Sequence, residues 1–156
     1  MPNELFSLAE KENILVEFYN LPGDILGAYY HTQNKPSIIL LHKKIEHSRR
    51  LLRCIFAEEL GHHFRPTLDV NSLAFARTKK CVNAKYEKLA IFWAVEYLMP
   101  IDRLIEAVNS GFFLTHDIAE FFDITERFAG TGLMLYHQKR KEQMDKLLNC
   151  MPQELV

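Results

Sequence analysis

The chain has 156 residues, 48% of them hydrophobic, and a formal net charge of -1, which predicts one globular domain and gives no ground for a nucleic-acid or membrane surface. Its three cysteines, Cys54, Cys81 and Cys150, show neither a disulfide framework nor the C-x-x-C spacing of structural zinc. No basic segment followed by an apolar run opens the chain, and no apolar run nears the ~20 residues that span a bilayer, so a cytoplasmic protein is expected.

Glu4 to Lys11 places Leu5, Leu8 and Ala9 at helical spacing and predicts a short amphipathic helix. Ile14 to Tyr19 is β-rich and ends at the turn signal Leu21-Pro-Gly-Asp24. Leu26 to His31 and Ser37 to Leu41 follow as strands, which makes a small antiparallel sheet of about three strands. His31 and His42, at strand ends, read as surface residues.

A long helix is expected from about Glu46, and it holds Arg53-Cys-Ile-Phe-Ala-Glu-Glu-Leu-Gly-His-His-Phe64. Leu51, Ile55, Glu58 and His62 fall within about 60° on a helical wheel, with Leu52, Phe56, Glu59 and His63 in the next row. Ionisable groups thus continue an apolar stripe, where a charge is costly unless it is paired or metal-bound. Glu58 and His62 have the i, i+4 spacing of the zinc-protease motif H-E-x-x-H, with glutamate in place of the first histidine. The pattern leaves two readings open, a metal site and a buried ion-pair network. On the opposite flank Cys54, Ala57 and Gly61 are small, and a mid-helix glycine suggests that another element comes close.

Phe64 to Val82 reads as a loop of the length that often serves as an active-site lid. Asn83 to Met99 is a second strong helix, with Glu87, Ile91, Ala94 and Leu98 in one row, closed by Pro100. Pro100 to Val108 forms a short helix, Thr115 caps another, and Thr125 caps a longer one that runs to about Leu148. A short helix, a turn and a longer helix resemble a helix-turn-helix in outline. No basic cluster projects from the second helix before Lys139-Arg-Lys141, so direct DNA binding is not expected. The predicted organisation is α+β. A single domain covers residues 1–150, with an N-terminal helix and sheet (1–45), active-site helices (46–100), a C-terminal helical module (101–150) and a tail (151–156).

Three stretches in this order resemble the ImmA/IrrE family of metallopeptidase domains: Ala57-Glu-Glu-Leu-Gly-His-His63, Glu87-Lys-Leu-Ala90 with Trp93-Ala94 and Leu98-Met-Pro100, and Ile118-Ala-Glu-Phe-Phe-Asp-Ile-Thr-Glu126. The resemblance implies a zincin-like helix pair packed on the sheet, with His62, Glu58 and Glu87 as metal ligands and Glu59 as the catalytic glutamate. It implies one divalent metal, zinc first, with Mn2+ or Fe2+ accepted by a donor set rich in carboxylates. Such domains are commonly encoded by phages and mobile elements and associated with cleavage of helix-turn-helix repressors. A protein substrate of that kind is therefore expected. The alternative is a catalytically inactive protease-fold module that binds a repressor or another protein. His63 reads as a packed neighbour rather than a ligand. No oxyanion donor stands out, and His116, His137 and Arg77 read as surface residues.

Overall fold

The computed structural model describes residues 2–65 and 80–149, with side chains from residue 84 onward in the second span. Of the loop predicted over Phe64 to Val82, residues 66–79 with Arg77 lie outside the described residues, as do the side chain of Cys81, Cys150 and the tail 151–156; its ends are helical, at Phe64 and from Lys80 onward. The chain divides into two compact units, Met1–Ala94 and Val95–Val156.

The first unit begins with helix α1 (Asn3–Lys11) and strands β1 (Ile14–Tyr19), β2 (Gly27–Tyr30) and β3 (Ser37–His42). The α+β class and the three strands are as expected, but the sheet is mixed rather than antiparallel. Its order is β1-β3-β2, with β1 parallel to β3 and β2 antiparallel to it. The reason lies in composition. Ser37-Ile-Ile-Leu-Leu-His42 is almost continuously apolar and takes the centre, with Ser37, Ile39 and Leu41 buried on one face. β1 leaves Leu15 and Tyr19 exposed at 50% and 60%, as an edge strand can. A parallel partner needs a long connection, and residues 20–36, which contain β2, supply it.

A 3₁₀ turn (Lys43–Ile45) follows, with the His42 Nδ1 accepting from the Lys44 N–H at 3.0 Å. That turn delays helix α2 (Arg49–Phe64), which starts three residues after the predicted Glu46. Its buried stripe is Leu52, Phe56 and Leu60, each fully buried at i, i+4 and i+8. The Phe56 ring meets Phe6 of α1 edge-on at 4.8 Å. Cys54, Ala57 and Gly61 are buried on the flank, and Cys54 takes part in no disulfide.

Helix α3 (Lys80–Leu98) begins three residues before the predicted Asn83. It meets α2 where glycine permits it. A Cβ on Gly61 would be driven into the Ala90 carbonyl oxygen. Phe64 stacks on Trp93 just beyond, at 4.6 Å and 13°.

The second unit holds α4 (Ile101–Asn109), α5 (Thr115–Phe122), α6 (Glu126–Lys139) and α7 (Lys141–Asn149). Thr125 caps α6 as predicted, its Oγ1 accepting from the Phe128 N–H at 3.2 Å. Thr115, expected as a cap, is instead the first residue of α5, and Leu114 takes the cap position, its N–H donating to the Asp117 carboxylate at 3.4 Å. Asp123 adopts φ +54° and closes α5 in the left-handed conformation that Asp tolerates. The helix expected to reach Leu148 breaks at Arg140, whose guanidinium donates to Glu96 at 2.7 Å. Tyr136 is 1% exposed, and its hydroxyl donates to the Met99 carbonyl at 2.7 Å.

Two substitutions test this packing. Gly61→Ala gains about 1 kcal/mol of helix propensity but forces a side chain against backbone that cannot swing aside, an overpacking cost of ~3 kcal/mol or more. The melting temperature should fall by several degrees; a rise would mean that α2 and α3 part freely. Tyr136→Phe removes one buried hydrogen bond and should cost about 1 kcal/mol in urea unfolding, with the ring packing kept. An unchanged midpoint would mean that the bond contributes nothing.

Candidate active site

Helix α2 presents Glu58, Glu59, His62 and His63 on its last two turns, all half-buried. The Glu59 carboxyl turns inward. It rests on the backbone of β2, where it accepts from the Tyr29 N–H. Gly27, two residues earlier, makes room for it. A Cβ there would stand 2.6 Å from Glu59 Oε1 and 2.8 Å from both Glu59 Cγ and Ile55 Cγ2. Burial pushes the Glu59 pKa up to about 7; His62 pulls it down, Glu58 and Glu87 push it further up, and the Tyr29 N–H pulls it back.

His62 and Glu87 come together across the α2–α3 contact, with Nε2 3.4 Å from Oε2. The His62 side chain is 17% exposed and that of Glu87 is 58% exposed. The row expected to bury Glu87 therefore runs from an open end to a closed one, since Ala94 and Leu98 are buried. A long side chain at a helix rim can reach inward to a partner while staying wet. Burial of the His62 ring opposes its protonation. The Glu87 hydrogen bond and the charges of Glu59, Glu87 and Glu58 outweigh that and hold its pKa above the ordinary histidine value.

Beside this cluster runs a chain of polar side chains. Tyr29 Oη is 3.0 Å from His63 Nδ1 and 3.1 Å from Ser37 Oγ, and Ser37 Oγ is 2.9 Å from His31 Nδ1. His63 Nε2 lies 3.5 Å from Glu12 Oε2. Burial raises the Tyr29 pKa, only partly offset by Ser37, so the phenol remains a proton donor. His63 is thus packed and partnered, as expected. Of the residues considered for an oxyanion, His116 pairs with Asp117 at 2.9 Å, and it and His137 belong to the second unit.

Sequence reasoning missed Gly27 and Tyr29. The signal was present, because an isolated glycine inside a strand pattern marks close backbone approach.

The sequence profile of the IrrE N-terminal-like domain (Peptidase_M78) matches residues 9–134. The chain belongs to this family. It is a family of metallopeptidase type, and the match spans the sheet, both site helices and α5. No curated protein and no solved structure was found to match the chain. Among the described residues, no helix is long and apolar enough to cross a membrane.

Membership in a metallopeptidase family implies a divalent metal, and the donors can be tested for fit. Two ligands each ~2.1 Å from a tetrahedral ion stand about 3.4 Å apart. His62 Nε2 and Glu87 Oε2 have that separation. The pair fits. Among the described residues, no group of three or more His, Cys, Asp or Glu side chains is placed so that it could hold a metal ion, and Glu58 acts on Glu59 and His62 through its charge.

The Glu59 carboxyl predicts a pH signature in the metal-free protein. Its folded pKa, about 7, lies above the ordinary glutamate value of 4.5. Between those values the folded state keeps a proton that the unfolded chain has released, so stability falls as pH rises through that window. Urea midpoints in chelator should decline across it for the native sequence and more shallowly for Glu59→Gln. Parallel curves would mean that Glu59 is not the source.

Proposed function

We propose that this chain is a metal-dependent endopeptidase that cuts a helix-turn-helix repressor of a phage or mobile element. The observation that carries the reading is the His62–Glu87 pair at ligand spacing beside Glu59, whose carboxyl rests on β2 with its pKa pushed up to about 7. In it His62, Glu87 and Glu58 would hold the metal, zinc first, with Mn2+ or Fe2+ accepted by this carboxylate-rich set. A divalent ion there would supply a Lewis acid and bring the pKa of water toward ~7.

The rest is work for the chain's own groups. Glu59 takes a proton from the attacking water at its carboxylate and passes it to the departing amine. A base whose pKa lies near 7 suits both halves of that task, accepting and then releasing the proton. The Tyr29 N–H and Gly27 hold its carboxyl in one place while it does so. The repressor substrate follows the association of ImmA/IrrE-type domains with such cleavage.

One observation favours a second reading, the inactive binding module. The carboxylates around His62 stabilise its protonated form, and an imidazolium cannot bind a metal. There the cluster would be an ion-pair network.

Metal analysis of protein purified without chelator separates the two, with about one divalent ion per chain expected for the peptidase. Incubation with repressors encoded beside it should yield fragments. Glu59→Gln should lower that cleavage by on the order of 100-fold or more with ion content and melting temperature kept. His62→Ala should lose the ion. Native protein with neither ion nor cleavage would sink the peptidase reading.

A further inference from the structure

Strand β2 is an edge strand, yet it supplies the seat of Glu59. One side is held by β3, where the Leu26 carbonyl accepts from the His42 N–H and the ladder bonds then fall on the pairs Ala28 to Leu40 and Tyr30 to Ile38. The other side faces α2, and there the Tyr29 N–H must stay aimed at a carboxylate that burial would otherwise expel.

The polar chain beside the site runs unbroken from α2 to the sheet, and its direction of donation follows the His63 tautomer. With the His63 proton on Nε2, which lies 3.5 Å from Glu12 Oε2, Nδ1 is an acceptor. Tyr29 then donates to His63 Nδ1 and accepts from Ser37, whose hydroxyl accepts in turn from the His31 Nδ1–H. Every middle member both gives and receives one proton. Ser37 is 6% exposed, so a break in the chain would leave a buried hydroxyl short of a partner.

Tyr29 therefore touches α2 twice, by its main chain at Glu59 and by its hydroxyl at His63, one turn further along. We propose that Tyr29 and His63 are positioning residues that clasp β2 to α2 and so fix the backbone N–H that holds the Glu59 carboxylate. Their importance for catalysis rests on the peptidase reading above; the clasp itself does not.

Hydrogen exchange followed by NMR on the full metal-free chain tests it, with neither substrate nor ion present. Glu59→Ala should strip protection from the residue-29 amide, as it removes the acceptor. Tyr29→Phe and His63→Leu should each speed exchange of that amide by about tenfold or more, with the Ile39 and Leu41 amides of β3 unchanged. His63→Asn, which places a side-chain oxygen where Nδ1 stood, should restore protection. An unmoved residue-29 amide in Tyr29→Phe and His63→Leu would overturn the proposal. So would equal loss at Ile39 and Leu41, or failure of the asparagine to rescue, since either would indicate general loosening. A failed clasp leaves metal content and cleavage to be judged on their own, and a chain without either can still show the clasp.

Discussion

A carboxyl group taken out of water is the constraint on which the first unit is built. Glu59 sits where an ionised side chain is costly, and three features make the position tolerable: the Tyr29 N–H, the His62 imidazole and the space left by Gly27. Each comes from a different local rule. An edge strand has an amide to spare, a helix turn sets His62 three residues from Glu59, and only glycine lets a carboxylate lie against the strand. β3 can then be the apolar centre while β2 stays at the rim, next to the chemistry.

A second glycine makes the other half of the site. Without a Cβ at Gly61, α3 comes close enough for Ala90 to touch the helix backbone. That approach carries Glu87 to His62, a contact between side chains of which one is mostly wet. Packing and electrostatics agree here, because the stacked Phe64 and Trp93 hold the same crossing that the ion pair needs. The wet side of Glu87 also keeps the pair within reach of solvent.

Much of this was legible in the sequence because it follows from periodicity. The buried positions Leu52 and Phe56, the small flank ending at Gly61 and the Thr125 cap all came from spacing and residue type, and the structure has them. Strand pairing did not, since alternation marks a strand but carries no information about its partner or direction. The parallel β1–β3 pair depends on which strand is apolar enough for the centre, a comparison between distant segments. The break at Arg140 was hidden for a similar reason. It coincides with an ion pair to Glu96, a residue 44 positions away. Glu87 was placed on the right helix, but its exposure depends on where the helix row leaves the core.

The glutamate at position 58 bears on the chemistry through charge rather than shape. With Glu58 and Glu87, the proposed ligands carry two negative charges where a second imidazole would leave one. Glu58 raises the Glu59 pKa, so the same side chain that replaces a neutral donor also makes its neighbour a stronger base. It favours protonation of His62 as well, which competes with metal binding at low pH. The two effects pull in opposite directions as pH falls. A site of this composition works best where His62 has shed its proton, and there the extra negative charge becomes an attraction for a divalent cation rather than a burden on the fold.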